Sequence, residues 1–246
     1  MPTAAVFADT GGEPQRVYKW LDWLEKQLPF PVYRVKNGNL KEDIFLAAKT
    51  RNHRLASAPF FVSGDGVNGM LRRSCTKDYK IAPVTKKMRA LVGLIPYQKA
   101  KEILLIHWQG ISLDEIQRAR VSHDKWQEYR YPLIEQRITR HDCLQWMKEN
   151  NYPEPPRSAC TFCPYHNDFE WRRIKNDDPD SFIEAVEIDK IIRNGFKTTI
   201  KGNKIYMHRS LKPLDEVDFR TAEDMGQTSL FGDDPFEEEC EGMCGM

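Results

Sequence analysis

The chain has 246 residues, 40% hydrophobic and 30% charged, which allows one ordinary domain or one domain with a small appendage and supplies enough apolar residues for a real core. Its 37 Lys and Arg nearly balance 36 Asp and Glu, and a net charge of +1 marks neither a polyanion binder nor an acid-rich tail protein. Met1 to Ala8 lacks the basic flank of a signal peptide, and apolar runs such as Ile103 to Ile106 are too short to span a bilayer, so no membrane contact and a cytoplasmic location are expected, with six reduced cysteines serving metal or redox chemistry.

Taken in chain order, Ala4 to Ala8 predicts a buried strand that ends at Asp9-Thr10-Gly11-Gly12. Val17, Leu21, Leu24 and Leu28 recur at helical spacing, and Pro29 stops that helix. Pro31 to Val35 reads as a second strand with an Asn37-Gly38-Asn39 turn. A helix is predicted over Asp78 to Leu91, with Pro83 in its first turn or at a kink. Ile103 to Ile111 is the next strand, and Thr139 to Glu149 the next helix. After the irregular, Pro-rich stretch Pro153 to Cys163, Phe169 to Lys175 and Ser181 to Arg193 read as helices, and Lys204 to His208 as a short strand. Gly232 to Met246 is acidic and closes on Cys240-Glu241-Gly242-Met243-Cys244.

This alternation predicts an α/β fold with a mostly parallel sheet. The expected divisions are a nucleotide-binding core over 1–150, a helical cysteine-containing portion over 151–215, and an acidic tail over 216–246. Arg51 with Arg54, Lys86 with Lys87 and Arg89, Arg118 with Arg120, and Arg172 with Arg173 and Lys175 form local basic clusters. These suit phosphate or nucleic acid, or are solvated helix faces.

Cys160-Thr-Phe-Cys163-Pro164 carries the strongest chemical signal. A tight turn in a C-x-x-C segment brings two thiols to one side, where thiolates select zinc or an iron–sulfur cluster over harder metals. Cys75, far upstream, is a candidate third ligand, and Cys143, within the helix Thr139 to Glu149, a candidate fourth or a core residue. His166 extends the motif to C-x-x-C-x-x-H, so zinc on Cys75, Cys160, Cys163 and His166 competes with the cluster. Cys240 and Cys244 are a candidate redox or sulfur-carrying pair. Two loops follow strands. Asp9-Thr10-Gly11 is either an anion-binding strand–helix turn or a plain capped one. Gly110 with Asp114, Glu115 and Arg118 suits magnesium, ribose or phosphate, while Ser112 with Glu115 also reads as a capping box.

Taken in order, these segments resemble the phosphoadenosine-phosphosulfate reductase family of the adenine-nucleotide alpha-hydrolase (PP-loop ATP pyrophosphatase) group, in its phage and mobile-element form. Asp9-Thr10-Gly11 with Pro14 and Tyr18 resembles the family's D-T-G-x-x-x-P-x-x-Y, and Cys75 with Lys80 and Pro83 its C-x-x-x-x-K-x-x-P. Gly110-Ile111 with Asp114, Glu115 and Arg118 is similar to G-I-R-x-D-E-S-x-x-R, with Ser112 and Ile116 as departures. Tyr131-Pro132-Leu133 with Thr139 and Asp142 is similar to P-L…W-T-x-x-D, and Cys160 with Cys163 to the late cysteine pair.

The resemblance implies a Rossmann-like (HUP-type) sheet and a nucleotide-dependent sulfur-transfer or sulfonucleotide-reductase activity. It implies a [4Fe–4S] cluster and a nucleotide, ATP with magnesium or a sulfonucleotide. tRNA or DNA is then the expected sulfur acceptor, and a thiol or sulfur-donor protein the partner. The family's S-G-G-x-D-S loop, which belongs before the strand near Thr3, does not occur in the sequence. Either translation starts further upstream, or the chain is a relative that does not grip ATP phosphates that way. A zinc-stabilised nucleic-acid-binding module and a non-catalytic partner subunit are the alternative expectations.

Overall fold

A computed structural model describes residues 1–50, 58–64, 67–196 and 202–220. Arg51, Arg54, Cys240 and Cys244 lie outside the described residues. The chain is mixed α/β, with helices packed on short sheets. Strand β1 (Ala5–Ala8) pairs in parallel with β2 (Val32–Val35), Ala5 opposite Val32. A parallel pair needs a crossover, and α1 (Gln15–Gln27) supplies it. Val17 and Leu21, four residues apart on one face of α1, are buried, and the next residues, Leu28 and Pro29, end the helix.

Helix α2 (Leu40–Thr50) buries Leu40, Ile44 and Ala47 at the i, i+4, i+7 spacing of a core-facing stripe. Next comes a hairpin of β3 (Phe61–Gly64) and β4 (Val67–Met70). A π-helical turn, Thr76–Ile81, then runs directly into α3 (Ala82–Leu91). Pro83 sits buried in the first turn of α3, directly after this wider turn. A second parallel pair joins β5 (Leu105–Trp108) to β6 (Gln127–Arg130) through a 3₁₀ segment, Leu113–Arg118. The remaining helices are α4 (Pro132–Glu135), α5 (Arg140–Glu149), α6 (Asp168–Asp177) and α7 (Pro179–Ile192). Thr139 caps α5 in a reciprocal capping box with Asp142.

The expected single sheet is, among the described residues, three small ones: β1-β2, β4-β3-β7 and β5-β6. The middle one is antiparallel, because β7 (Lys204–Tyr206), predicted as a terminal strand, returns to the free edge of β3. Two apolar clusters hold these parts together. The larger gathers Leu40, Ile44, Phe60, Tyr79, Phe162, Trp171 and much of α7; burying each such large side chain is worth about 1.5–3 kcal/mol. The smaller is Met88, Leu94 and Trp126, with Val6 of β1 and Leu105 of β5 both packed on it. The two parallel pairs thus share a core without joining into one ladder.

Asp189 of α7 fastens the end of the described chain. Its buried carboxylate accepts the Met207 amide at 2.7 Å and the Leu214 amide at 3.0 Å, and it pairs with Arg193. Burial pushes its pKa above the usual carboxylate range even though these partners pull it down.

Candidate cysteine pocket

The loop after β1 is built to meet the C-x-x-C turn. Gly11 has φ +76°, a left-handed conformation, and a Cβ there would lie 2.5 Å from Asn39 Oδ1. Asp9 holds the loop in place. It accepts the Gly11 amide at 2.8 Å and the Tyr18 hydroxyl at 2.7 Å, and faces Lys36 Nζ at 2.8 Å. Burial alone would raise the Asp9 pKa, but Lys36, Tyr18 and the Gly11 amide together hold it below the ordinary value. The same contact, after burial itself, raises the Tyr18 phenol.

Gly12 is where the two segments touch. Its carbonyl accepts the Thr161 amide at 2.8 Å, and a Cβ on it would sit 2.7 Å from the Phe162 ring and 3.4 Å from Cys160 Cβ. The turn itself closes by Cys163 N donating to Cys160 O at 3.0 Å. Phe162 is buried in the larger core and anchors the turn. Cys75 begins the π-helical turn and packs, like Cys160, against that same core.

Cys75, Cys160 and Cys163 therefore line one pocket, with Thr10, Arg73, Lys80, Ser158 and Tyr165. The pocket has a volume of about 40 Å³ and opens onto solvent. Thr10 Oγ1 lies 3.3 Å from Cys160 Sγ. Burial, reinforced by Glu13, pushes the Cys160 thiol up to about 12, and burial also raises Cys75 against the pull of Arg73 and Lys80.

Glu13 is the residue that the sequence patterns did not single out. Its side chain is fully buried, 3.5 Å from Lys80 Nζ, and accepts the Ser158 hydroxyl at 3.2 Å and the Thr10 hydroxyl at 3.5 Å. A carboxylate beside a helix-opening Pro14 was its only local signal.

The other predicted residues lie elsewhere. Asp114 accepts the Arg140 amide at 3.0 Å, Glu115 pairs with Arg118, and Gly110 stands in open space. Ser112 caps nothing by its side chain, so the capping-box alternative there does not form. Cys143 belongs to this second group: its pKa is raised by burial and then by Asp142 and Asp114. It does not line the cysteine pocket. His166 is buried beneath the turn, its Nε2 bonded at 2.9 Å to the Cys160 carbonyl and its ring edge-on to Trp171. A ring nitrogen facing a carbonyl oxygen must carry the proton, so this nitrogen is not a ligand. A broader open groove of about 640 Å³, lined by Lys101, Glu102, Asp124, Lys125 and Tyr129 among others, contains none of the thiols.

Among the described residues no three His, Cys, Asp or Glu side chains are gathered closely enough to hold a metal ion. The donor set around the pocket nevertheless suits a soft metal in kind: three thiols, with Lys80 and Arg73 beside them to offset thiolate charge. Among the described residues no helix is long and apolar enough to cross a membrane. Compared with protein-family models, curated proteins and solved structures, the chain finds no match.

Proposed function

We propose that the chain is a sulfur-transfer or sulfonucleotide-reductase-type enzyme of the phosphoadenosine-phosphosulfate reductase kind, with its chemistry at the cysteine pocket. One observation carries this reading: thiols from two segments some 85 residues apart line one cavity against the Asp9–Gly12 loop. The parallel pairs β1-β2 and β5-β6, sharing one core, are read as parts of a Rossmann-like (HUP-type) sheet. The loops that follow β1 and β5 lie where such sheets bind nucleotides.

In this reading Cys75, Cys160 and Cys163 hold a [4Fe–4S] cluster. A bound cluster supplies electron transfer and, with three protein thiolates, one iron open to sulfur. Lys80 and Arg73 offset the thiolate charge and draw an anionic substrate to the pocket. Glu13 holds Lys80 in place, and Thr10 hydrogen-bonds Cys160. The acceptor of sulfur is tRNA or DNA, and a thiol or sulfur-donor protein completes the reaction. Because the sequence contains no S-G-G-x-D-S segment, no step that cleaves ATP is assigned to these residues.

A second reading has one specific observation in its favour. The pocket is small, about 40 Å³, which suits a single ion better than an eight-atom cluster. A zinc-stabilised binding or partner protein then replaces the enzyme, its fourth ligand not His166 Nε2.

Anaerobic purification separates the two. The enzyme reading expects brown protein with iron and acid-labile sulfide, lost in Cys75→Ser and retained in Cys143→Ala, together with a thermal shift on adding a sulfonucleotide. Stoichiometric zinc without iron, and no nucleotide shift, overturns it in favour of the second.

A further inference from the structure

Outside the cysteine pocket, four aromatic rings from separate parts of the chain meet at the surface. The ring centroids of Trp20 and Trp23 on α1 are 5.9 Å apart, those of Trp23 and Tyr152 5.5 Å, and those of Tyr152 and Trp146 on α5 5.3 Å. None of these contacts is a face-to-face stack. Trp146 remains 54% exposed and Tyr152 38%, so ring surface stays open to a flat partner. A role in packing alone would bury rings of this size.

Lysines are interleaved with the rings. Lys19 and Lys26 lie four residues before and three after Trp23, which places them on its face of α1. Both are exposed, as is Lys148 near the end of α5. Among the described residues these three lysines join no ion pair. The neighbouring carboxylates are largely engaged. Asp22 and Glu25 both pair with Arg34, and Asp142 closes the capping box of α5. Glu149, which accepts the neutral Gln145 amide, and the exposed Glu154 remain to oppose the lysines. Protein–protein interfaces share the enrichment in Trp and Tyr but are depleted in Lys. Rings that alternate with lysines are instead the footprint of a groove for single-stranded nucleic acid, where bases stack and phosphates meet ammonium groups.

The patch is tied to the cysteine pocket by two routes. Helix α1 starts just beyond Gly12 and Glu13, and Trp20 lies about 9 Å along it from Pro14 at 1.5 Å per residue. Trp20 Nε1 also donates to the Pro153 carbonyl at 3.3 Å, and the chain runs from there through Ser158, which lines the pocket, to Cys160.

We propose that Trp146, Tyr152 and Trp23 form a stacking platform for single-stranded nucleic acid, with Lys19, Lys26 and Lys148 meeting its phosphates. Binding depends on rings and lysines, so it stands whether or not the pocket holds a metal. Where the enzyme reading holds, the platform narrows the sulfur acceptor to unpaired bases; that narrowing alone rests on the reading.

The test is titration of the full chain with a fluorescein-labelled oligothymidylate, followed by anisotropy and by quenching of tryptophan fluorescence. Saturable binding with quenching is expected, weakening by about tenfold or more between about 50 and about 200 mM salt. Trp146→Ala is expected to weaken binding by about tenfold without lowering the melting temperature, and Trp146→Phe to restore most of it. Lys19→Gln with Lys26→Gln should flatten the slope of log affinity against log salt by about 1.4. No binding at low salt, binding that ignores salt, equal affinity for a duplex of the same length, or wild-type affinity in Trp146→Ala overturns the proposal. Self-association that Trp146→Ala abolishes, with no oligonucleotide bound, overturns it in favour of a protein interface. Iron content and oligonucleotide binding are read separately on the same sample, so failure of the enzyme reading and failure of the platform are told apart.

Discussion

At the scale of single residues, Asp9 shows how one carboxylate shapes a loop. It satisfies the Gly11 amide, the Tyr18 hydroxyl and the Lys36 ammonium together, and the Asn variant loses the charge that strengthens all three. Asp9→Asn is expected to lower stability at pH 7 by about 1–3 kcal/mol, measured by urea unfolding. The sign with pH follows from the depressed pKa. The contribution is fully present above the unfolded aspartate value of about 3.9 and is lost as pH falls through the lower folded value. The wild-type and variant curves should therefore converge below about pH 4. A gap that stays constant down to acid would mean the loop depends on shape and not on this charge. Asp9-Thr10-Gly11 was legible as a strand-ending turn because glycine and short polar side chains advertise such turns locally. Glu13 was not, since its meaning comes from Lys80 and Ser158, which are remote in sequence.

At the scale of elements, the decisive contact is loop on turn. Gly12→Ala forces a methyl to 2.7 Å from the Phe162 ring, and a backbone-borne Cβ has no rotamer by which to escape. A cost of about 1–3 kcal/mol is expected from overpacking, with faster alkylation of Cys160 as the two segments part. A Gly12→Ala protein with unchanged melting and unchanged thiol reactivity would show that the turn stands by itself. Phe162→Ala, which empties a fully buried ring site, should cost about 3–5 kcal/mol. The C-x-x-C turn could be read from the sequence because its spacing is local. That Cys75 lines the same pocket rests on the π-helical turn Thr76–Ile81 and on the shared core, neither of which leaves a periodic trace. Cys143 showed the reverse: a cysteine of the right type on a well-predicted helix, carried by α5 to the Asp114 loop instead.

At the scale of the whole molecule, the two apolar clusters differ in size, and their stabilities should differ with them. The amides of β5 and β6, resting on Met88, Leu94 and Trp126, are expected to exchange hydrogen faster than those of α7, whose Ala185, Ile188 and Ile192 are wholly buried. Equal protection in native-state exchange would indicate a single cooperative unit. The α/β alternation was readable because its periodicities are local; the division into three sheets was not, because which strand edges meet is fixed by packing far along the chain. The small cluster has a further consequence. Val6 of β1 and Leu105 of β5 both rest on it, yet the two strands belong to separate sheets among the described residues, and Ile106 and Trp108 stand 56% and 44% exposed. Peptide groups along such rims are templates on which a stray extended chain can grow. Concentrated protein should accordingly scatter light in proportion to its tendency to stack through these rims, and Ile106→Lys should suppress that turbidity while leaving the cysteine chemistry intact.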